Sequence, residues 1–171
     1  AINNLRDTMT SHDRVSIIEV MGRKCGDIAL HAGIAGGAEI ILVPEIPYSI
    51  DKICDNIMKN QAKGKSSDII VLSEGVCKAE ELKAMISEKI EVSLKCTTLG
   101  HIQRGGTPSH MDRLLAAQFA ARAVDALLEG KTSRVIGIRN NKIIDEDIEV
   151  ALARPHQFNH ELYETARITN L

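Results

Sequence analysis

Apolar residues along this chain fall into short dense runs, separated by longer stretches with helical spacing. Arg14-Val15-Ser16-Ile17-Ile18-Glu19-Val20-Met21 is dense in β-branched residues and predicts a strand that stops at Gly22-Arg23. Residues 25–35 then carry small and apolar side chains at helical spacing, and Gly36-Gly37 ends that helix where a positive φ is wanted. Glu39-Ile40-Ile41-Leu42-Val43 is almost continuously apolar, the mark of a strand buried on both faces, and Pro44 closes it. Ser49 is placed to cap a helix over residues 50–63, with Ile53, Ile57 and Met58 inward. A third buried strand runs over residues 68–73 and ends at Glu74-Gly75; a charged surface helix covers 79–89, and a fourth strand covers 92–99. Residues 109–129 give the strongest helical pattern, with Gln118, Arg122, Asp125 and Glu129 on one stripe and Met111, Leu115, Phe119, Val124 and Leu128 in the apolar remainder. Gly130 stops it, residues 134–144 read as a hairpin about Asn140-Asn141, and short helices start from Glu146 and His160. Before the first strand, residues 6–13 are polar and turn-like and read as a loop.

Strands alternating with helices predict an α/β fold, a Rossmann-like parallel sheet with helices on both faces. Ligands of such sheets bind at the carboxyl ends of the strands, which puts Gly22-Arg23, Glu45, Glu74 and Gly100-His101 on one edge. The stretch Leu99-Gly100-His101-Ile102-Gln103-Arg104-Gly105-Gly106-Thr107-Pro108-Ser109 is a strand-to-helix corner in which backbone can approach an anion closely. Thr107 is the expected N-cap and Pro108 the first helical residue. Taken singly, Arg14, Arg23, His101 and Arg104 are more often surface ion-pair partners than ligands. Together with Glu74, a carboxylate able to accept from hydroxyl groups, the basic groups gathered on that edge suit a phosphorylated sugar. A second cluster, Gly37-Ala38-Glu39 with Lys63 and Lys65, falls on the opposite, amino-end side of the sheet. It reads as solvated lysines or as a site for a metal-nucleotide diphosphate.

Composition narrows the classes. A net charge of −2 argues against bulk nucleic-acid binding, and Tyr48, Phe119, Phe158 and Tyr163, with no Trp, are too few for a base-stacking platform. Cys25, Cys54, Cys77 and Cys96 form no C-x-x-C and are expected as buried, reduced thiols in a cytoplasmic protein. No apolar run reaches the length of a membrane span. The opening Ala1-Ile2-Asn3-Asn4, without Met or signal pattern, suits a piece of a longer chain. Gly64-Lys65-Ser66 and Gly130-Lys131-Thr132 look like P-loop ends, but Lys59 and Asp125 stand where the required Gly should be, and each follows a helix. No G-x-G-x-x-G occurs.

Ile17-Ile18-Glu19-Val20-Met21-Gly22-Arg23, Ile34-Ala35-Gly36-Gly37-Ala38-Glu39 and Leu99-Gly100-His101-Ile102-Gln103-Arg104-Gly105-Gly106 strongly resemble the bacterial ATP-dependent 6-phosphofructokinases, as do Arg6-Asp7-Thr8 and Ser73-Glu74-Gly75. The resemblance covers essentially the whole chain, but only the C-terminal half of the family. It implies that the glycine-rich ATP loop, the magnesium aspartate and the catalytic-base aspartate lie in an N-terminal half outside this sequence. The implied reaction moves the γ-phosphoryl group of Mg-ATP to the 1-hydroxyl of fructose 6-phosphate in a cytoplasmic homotetramer. A pyrophosphate-dependent relative is the nearest alternative, although His101 favours the ATP type, since many pyrophosphate relatives have Tyr there. The other alternative is a non-catalytic sugar-phosphate or nucleotide-binding module when the chain is isolated.

Carried over residue by residue, the resemblance assigns Met21, Gly22, Arg23, Glu74, His101 and Arg104 to fructose 6-phosphate, with Arg23 also stabilising the transferring phosphoryl group. Arg14 would reach the sugar phosphate from a neighbouring subunit. Lys95 stands where the family has a second such Arg, keeping the charge but losing the fork. Arg6, Gly37, Glu39, Lys63 and Lys65 match an effector site for ADP or phosphoenolpyruvate, with Glu39 on the effector's Mg2+; Ser67 replaces a His of some relatives. The implied organisation is a substrate and effector lobe over 1–103, a segment over 104–153 returning to an N-terminal ATP lobe, and a C-terminal helix over 154–171 packing on the first lobe.

Overall fold

The computed structural model of the chain describes residues 1–9 and 14–169. Four strands, β1 (Arg14–Val20), β2 (Ile40–Leu42), β3 (Ser67–Ser73) and β4 (Leu94–Thr98), form one parallel sheet in the order β2-β3-β1-β4. The period-two rule divides their side chains between two cores. Val15, Ile17, Ile40, Leu42, Ile70 and Leu72 pack on one face under α3 (Ile50–Ala62) and α4 (Ala79–Ser87). Ile18, Val20, Ile41, Val43, Ile69 and Val71 face the other way, toward α1 (Ile2–Met9), α2 (Asp27–Ala35) and α7 (His160–Thr169). Helices on both faces are why the strand runs in the sequence are nearly unbroken.

The expected loop over residues 6–13 is corrected in its described part, because Ile2–Met9 is helical. Ile2, Leu5 and Met9 recur at helical spacing and pack on the second core, with Met9 only 5% exposed, which outweighs the polar Arg6-Asp7-Thr8 between them. Residues 10–13 lie outside the described part. The expected thiol burial holds in full for Cys54 alone; Cys25, Cys77 and Cys96 are half-buried, and none of the four is in a disulfide. Burial still pushes the Cys96 thiol up to about 11.

By chain contacts, residues Ala1–Arg104 and Phe158–Leu171 make one compact unit and Gly105–Gln157 another. Within the first, α7 docks through Ala166 and Tyr163, whose hydroxyl donates to the Ile41 carbonyl at 3.4 Å. The second holds α5 (His110–Leu128), the hairpin β5 (Arg134–Arg139) and β6 (Lys142–Asp147), and α6 (Ile148–Ala153). Asn140 and Asn141 have φ of 49° and 61°, the doubly left-handed pair that a tight hairpin of this hand demands. The expected cap at Thr107 is corrected to Ser109. Ser109 Oγ accepts the Asp112 N–H at 3.2 Å, and the Asp112 carboxylate accepts the Ser109 N–H at 2.8 Å, so the reciprocal box starts α5 two residues later. Within its own unit α5 leaves Met111, Val124 and Leu128 exposed, with Leu115 and Phe119 half-buried. Among the described residues no helix is long and apolar enough to cross a membrane.

Candidate functional site

All the expected sugar-phosphate residues except Arg14 and Lys95 come together. Met21, Gly22, Arg23, Glu74, His101 and Arg104 line one cleft of about 750 Å³ at the carboxyl ends of β1, β3 and β4, completed by Ile28 and Gln103. Three separate stretches of chain supply it. The first follows Val20, the second follows Ser73, and the third is a 3₁₀ turn, η1 (Gly100–Gln103), that leads out of β4.

Glu74 binds the first two stretches together. Its Oε1 accepts the N–H of Arg23 at 3.0 Å and of Gly22 at 3.1 Å, while its own N–H donates to the Val20 carbonyl at 2.9 Å. The two backbone N–H groups hold the Glu74 carboxyl below its ordinary range, so it is an anion across the physiological range. Both of these bonds fall on Oε1, and Oε2 is the oxygen left to accept from a ligand hydroxyl. The loops meet so closely that Gly75 is obligatory: a Cβ there would stand 1.8 Å from the Arg23 carbonyl oxygen. Arg23 itself sits at φ 52°, a left-handed conformation rare for a residue with a side chain. Among the described residues no carboxylate lies within ion-pair distance of Arg23, His101 or Arg104, and all three are exposed. The cleft therefore combines one carboxylate with three donor side chains aimed at solvent.

Glu45, expected on the same edge, has another task. Its Oε1 accepts the Gly26 N–H at 2.9 Å at the start of α2, and it does not line the cleft. Arg14 and Lys95 lie at the other end of the sheet, Arg14 opening β1 and Lys95 standing exposed on β4 opposite Ser16. The seven residues of β1 put Arg14 about 20 Å from the cleft end of the strand. Neither reaches the cleft of its own chain.

The second cluster assembles around a buried carboxylate. Glu39 is 4% exposed at its side chain; Oε1 meets Lys65 Nζ at 2.8 Å and Arg6 Nη1 at 3.4 Å, and Oε2 accepts the Ile69 N–H. Arg6 also donates to the Gly36 carbonyl at 3.0 Å and to that of Gly37, where φ is 67°. Lys63 is the C-cap residue of α3, and with Glu39 it lines a groove of about 600 Å³ beside α3 and α7. Asp68, nearby and 2% exposed, accepts from Asn60 at 2.7 Å, and burial raises its carboxyl above the ordinary value. A magnesium ion seeks six oxygen ligands. Glu39 already carries two cations and a backbone N–H, so the residues of this chain do not by themselves fit that ion.

Ile28 and Gln103 are the cleft residues that sequence reasoning missed. Gln103 stands inside the quoted corner run, but its relevance depends on where β4 leaves the sheet, which periodicity does not record.

The sequence profile of the family described as Phosphofructokinase matches residues 1–127. A protein of Clostridium acetobutylicum named ATP-dependent 6-phosphofructokinase is 56% identical over 168 residues, covering 98% of this chain and 53% of that protein. One of the same name from Caldanaerobacter subterraneus subsp. tengcongensis is 56% identical over 172 residues, covering 100% of this chain and 54% of that protein. The chain thus spans about half the length of the curated relatives it matches. Among solved structures, phosphofructokinase from Saccharomyces cerevisiae superposes with a TM-score of 0.81 at 36% identity, over 88% of this chain and 22% of that one. A pyrophosphate-dependent phosphofructokinase from Marinobacter aquaeolei, with a TM-score of 0.76 over 93% of this chain and 45% of that one, is 23% identical and shares the fold.

Proposed function

Because the chain belongs to the phosphofructokinase family, we propose that it is the sugar-phosphate part of an ATP-dependent 6-phosphofructokinase. The observation that carries this reading is the convergence of Arg23, Glu74, His101 and Arg104 from three distant stretches on one cleft. In this reading His101 and Arg104 hold the 6-phosphate of fructose 6-phosphate, the Arg fork by paired hydrogen bonds. Glu74 accepts from a sugar hydroxyl, and Met21 and Gly22 shape the wall beside the 1-hydroxyl. Arg23 faces the charge that develops on the phosphoryl group in flight. The rest of the longer protein supplies the Mg-ATP site and the general base, so the isolated chain binds but does not turn over. Arg14 and Lys95, remote from their own cleft, complete the phosphate site of a neighbouring copy, which makes the working unit an oligomer, a homotetramer in the cytoplasm. The pyrophosphate alternative is disfavoured by the names of the 56% identical relatives and by His101.

The second cluster is read as an effector site in which Arg6, Lys63 and Lys65 meet the phosphates of ADP or the phosphate and carboxylate of phosphoenolpyruvate. An anion there competes with Glu39 for Arg6 and Lys65. Any Mg2+ comes with the nucleotide.

A coupled assay tests the reading on two proteins, the full-length enzyme and this chain alone. Expected is fructose 6-phosphate phosphorylation by the first and none by the second. Turnover by the isolated chain, or a full-length enzyme indifferent to fructose 6-phosphate, overturns it.

A further inference from the structure

Gln103 is the polar side chain on the cleft wall to which no ligand role is given above. Its own hydrogen bonds explain why it is there. In the parallel ladder between β1 and β4, Val15 N–H donates to the Ser93 carbonyl at 2.9 Å, and Leu99 N–H donates back to the Glu19 carbonyl at 3.1 Å. Alternate residues of β1 donate in such a ladder, so the next donor past Glu19 is Met21, and its register partner is the Leu99 carbonyl. That carbonyl is already engaged. It accepts the Ile102 N–H at 3.2 Å, the bond that starts η1 and turns the chain out of the sheet.

Gln103 supplies the replacement. Its Oε1 accepts the Met21 N–H at 3.3 Å, and its Nε2 donates to the Gly100 carbonyl at 3.3 Å. The side-chain oxygen thus takes the Met21 N–H that the Leu99 carbonyl would have taken had β4 run on, while the Nε2 donor anchors the amide to the turn at Gly100. We propose that Gln103 is a positioning residue, a strap that replaces the lost rung of the ladder. It lets η1 carry His101 and Arg104 away from the sheet while Met21, Gly22 and Arg23 stay fixed opposite them. Glu keeps the acceptor and loses the donor, Met loses both, and Asn is one methylene too short. The strap deepens the functional reading above and rests on it for the identity of the ligand.

The experiment uses the full-length protein, unmutated and as Gln103→Met, with two readouts: amide hydrogen exchange at Met21, and the KM values for fructose 6-phosphate and ATP. Expected is at least a tenfold loss of protection at Met21. The KM for fructose 6-phosphate rises about fivefold to tenfold, the scale of one hydrogen bond, with the ATP value within about twofold. Gln103→Asn gives the same pair of effects should the Met variant aggregate. Unchanged protection at Met21 overturns the strap. Lost protection with both KM values unchanged, or raised equally, overturns its positioning role. A full-length protein that does not phosphorylate fructose 6-phosphate overturns the functional reading alone, since the exchange arm needs no substrate and still decides the strap.

Discussion

Gly75→Ala adds one methyl group where two loops beside the cleft meet backbone to backbone. The new Cβ would lie 1.8 Å from the Arg23 carbonyl oxygen, where ordinary contact begins at 3.4 Å, so one strand of chain must yield by about 1.6 Å. The Gly75 side of the contact is pinned by Glu74 N–H on Val20 and by Val76 N–H on Ser73, at 2.9 and 3.0 Å. The Arg23 side hangs on Glu74 Oε1 and is exposed, so it is the side that moves. A displacement of about 1 Å at a reacting centre costs on the order of a hundredfold in rate. We therefore expect kcat of the full-length enzyme to fall by roughly two orders of magnitude. Overpacking should lower stability by about 1–3 kcal/mol. Gly64→Ala is the matched control: it strains a φ of 81° but meets nothing within 4 Å. It should cost about 1 kcal/mol and leave kcat unchanged. Steady-state kinetics with both substrates and thermal melts of the two variants give the comparison. Gly75→Ala with wild-type kcat, or with a loss no greater than that of Gly64→Ala, refutes the claim that this contact sets the position of Arg23.

Arg104→Ala should raise the KM for fructose 6-phosphate by roughly ten- to a hundredfold, the loss of charge-assisted hydrogen bonds to phosphate, and leave that for ATP nearly unchanged; an equal loss for both counts against its place in the cleft. Ser109→Ala removes one half of a reciprocal cap and should lower unfolding free energy by about 1 kcal/mol in urea titrations, with no change in either KM. Asp68 has a folded-state value raised by burial, so its contribution favours the folded state fully below the ordinary 3.8 and is lost as pH rises past it toward the raised value. Asp68→Asn, which still accepts from Asn60, should gain in urea midpoint over the wild type as the pH rises above the ordinary 3.8. A difference that does not change with pH contradicts the burial argument.

Much of the first unit is legible in the sequence because its strands are covered on both faces. Ile40-Ile41-Leu42 and Ile69-Ile70-Val71-Leu72 must be apolar at every position, and no polar alternation blurs them. α1 is less legible: three apolar residues in eight suffice to dock it on the sheet, while Arg6 reaches away to Glu39. The rule that strand carboxyl ends share an edge is enough to gather Arg23, Glu74 and His101, and the corner that follows His101 brings Arg104 with it. It is not enough to distinguish them from Glu45, whose carboxylate turns to the start of α2. Gln103 escapes any periodic reading, since its role arises from the one rung where β4 departs from its register. Thr107-Pro108 is a sound helix start by local preference, yet the Ser109–Asp112 box just beyond it satisfies two backbone groups at once and wins.

The central claim is that the cleft at the ends of β1, β3 and β4 holds fructose 6-phosphate. Determining the structure of the full-length protein with that sugar bound tests it most directly. The account predicts the 6-phosphate within hydrogen-bond distance of His101 and Arg104, a sugar hydroxyl on Glu74, and the 1-hydroxyl beside Met21 to Arg23. Arg14 of a second copy should approach the same phosphate. A sugar phosphate bound elsewhere, or in this cleft with its phosphate away from His101 and Arg104, would contradict it.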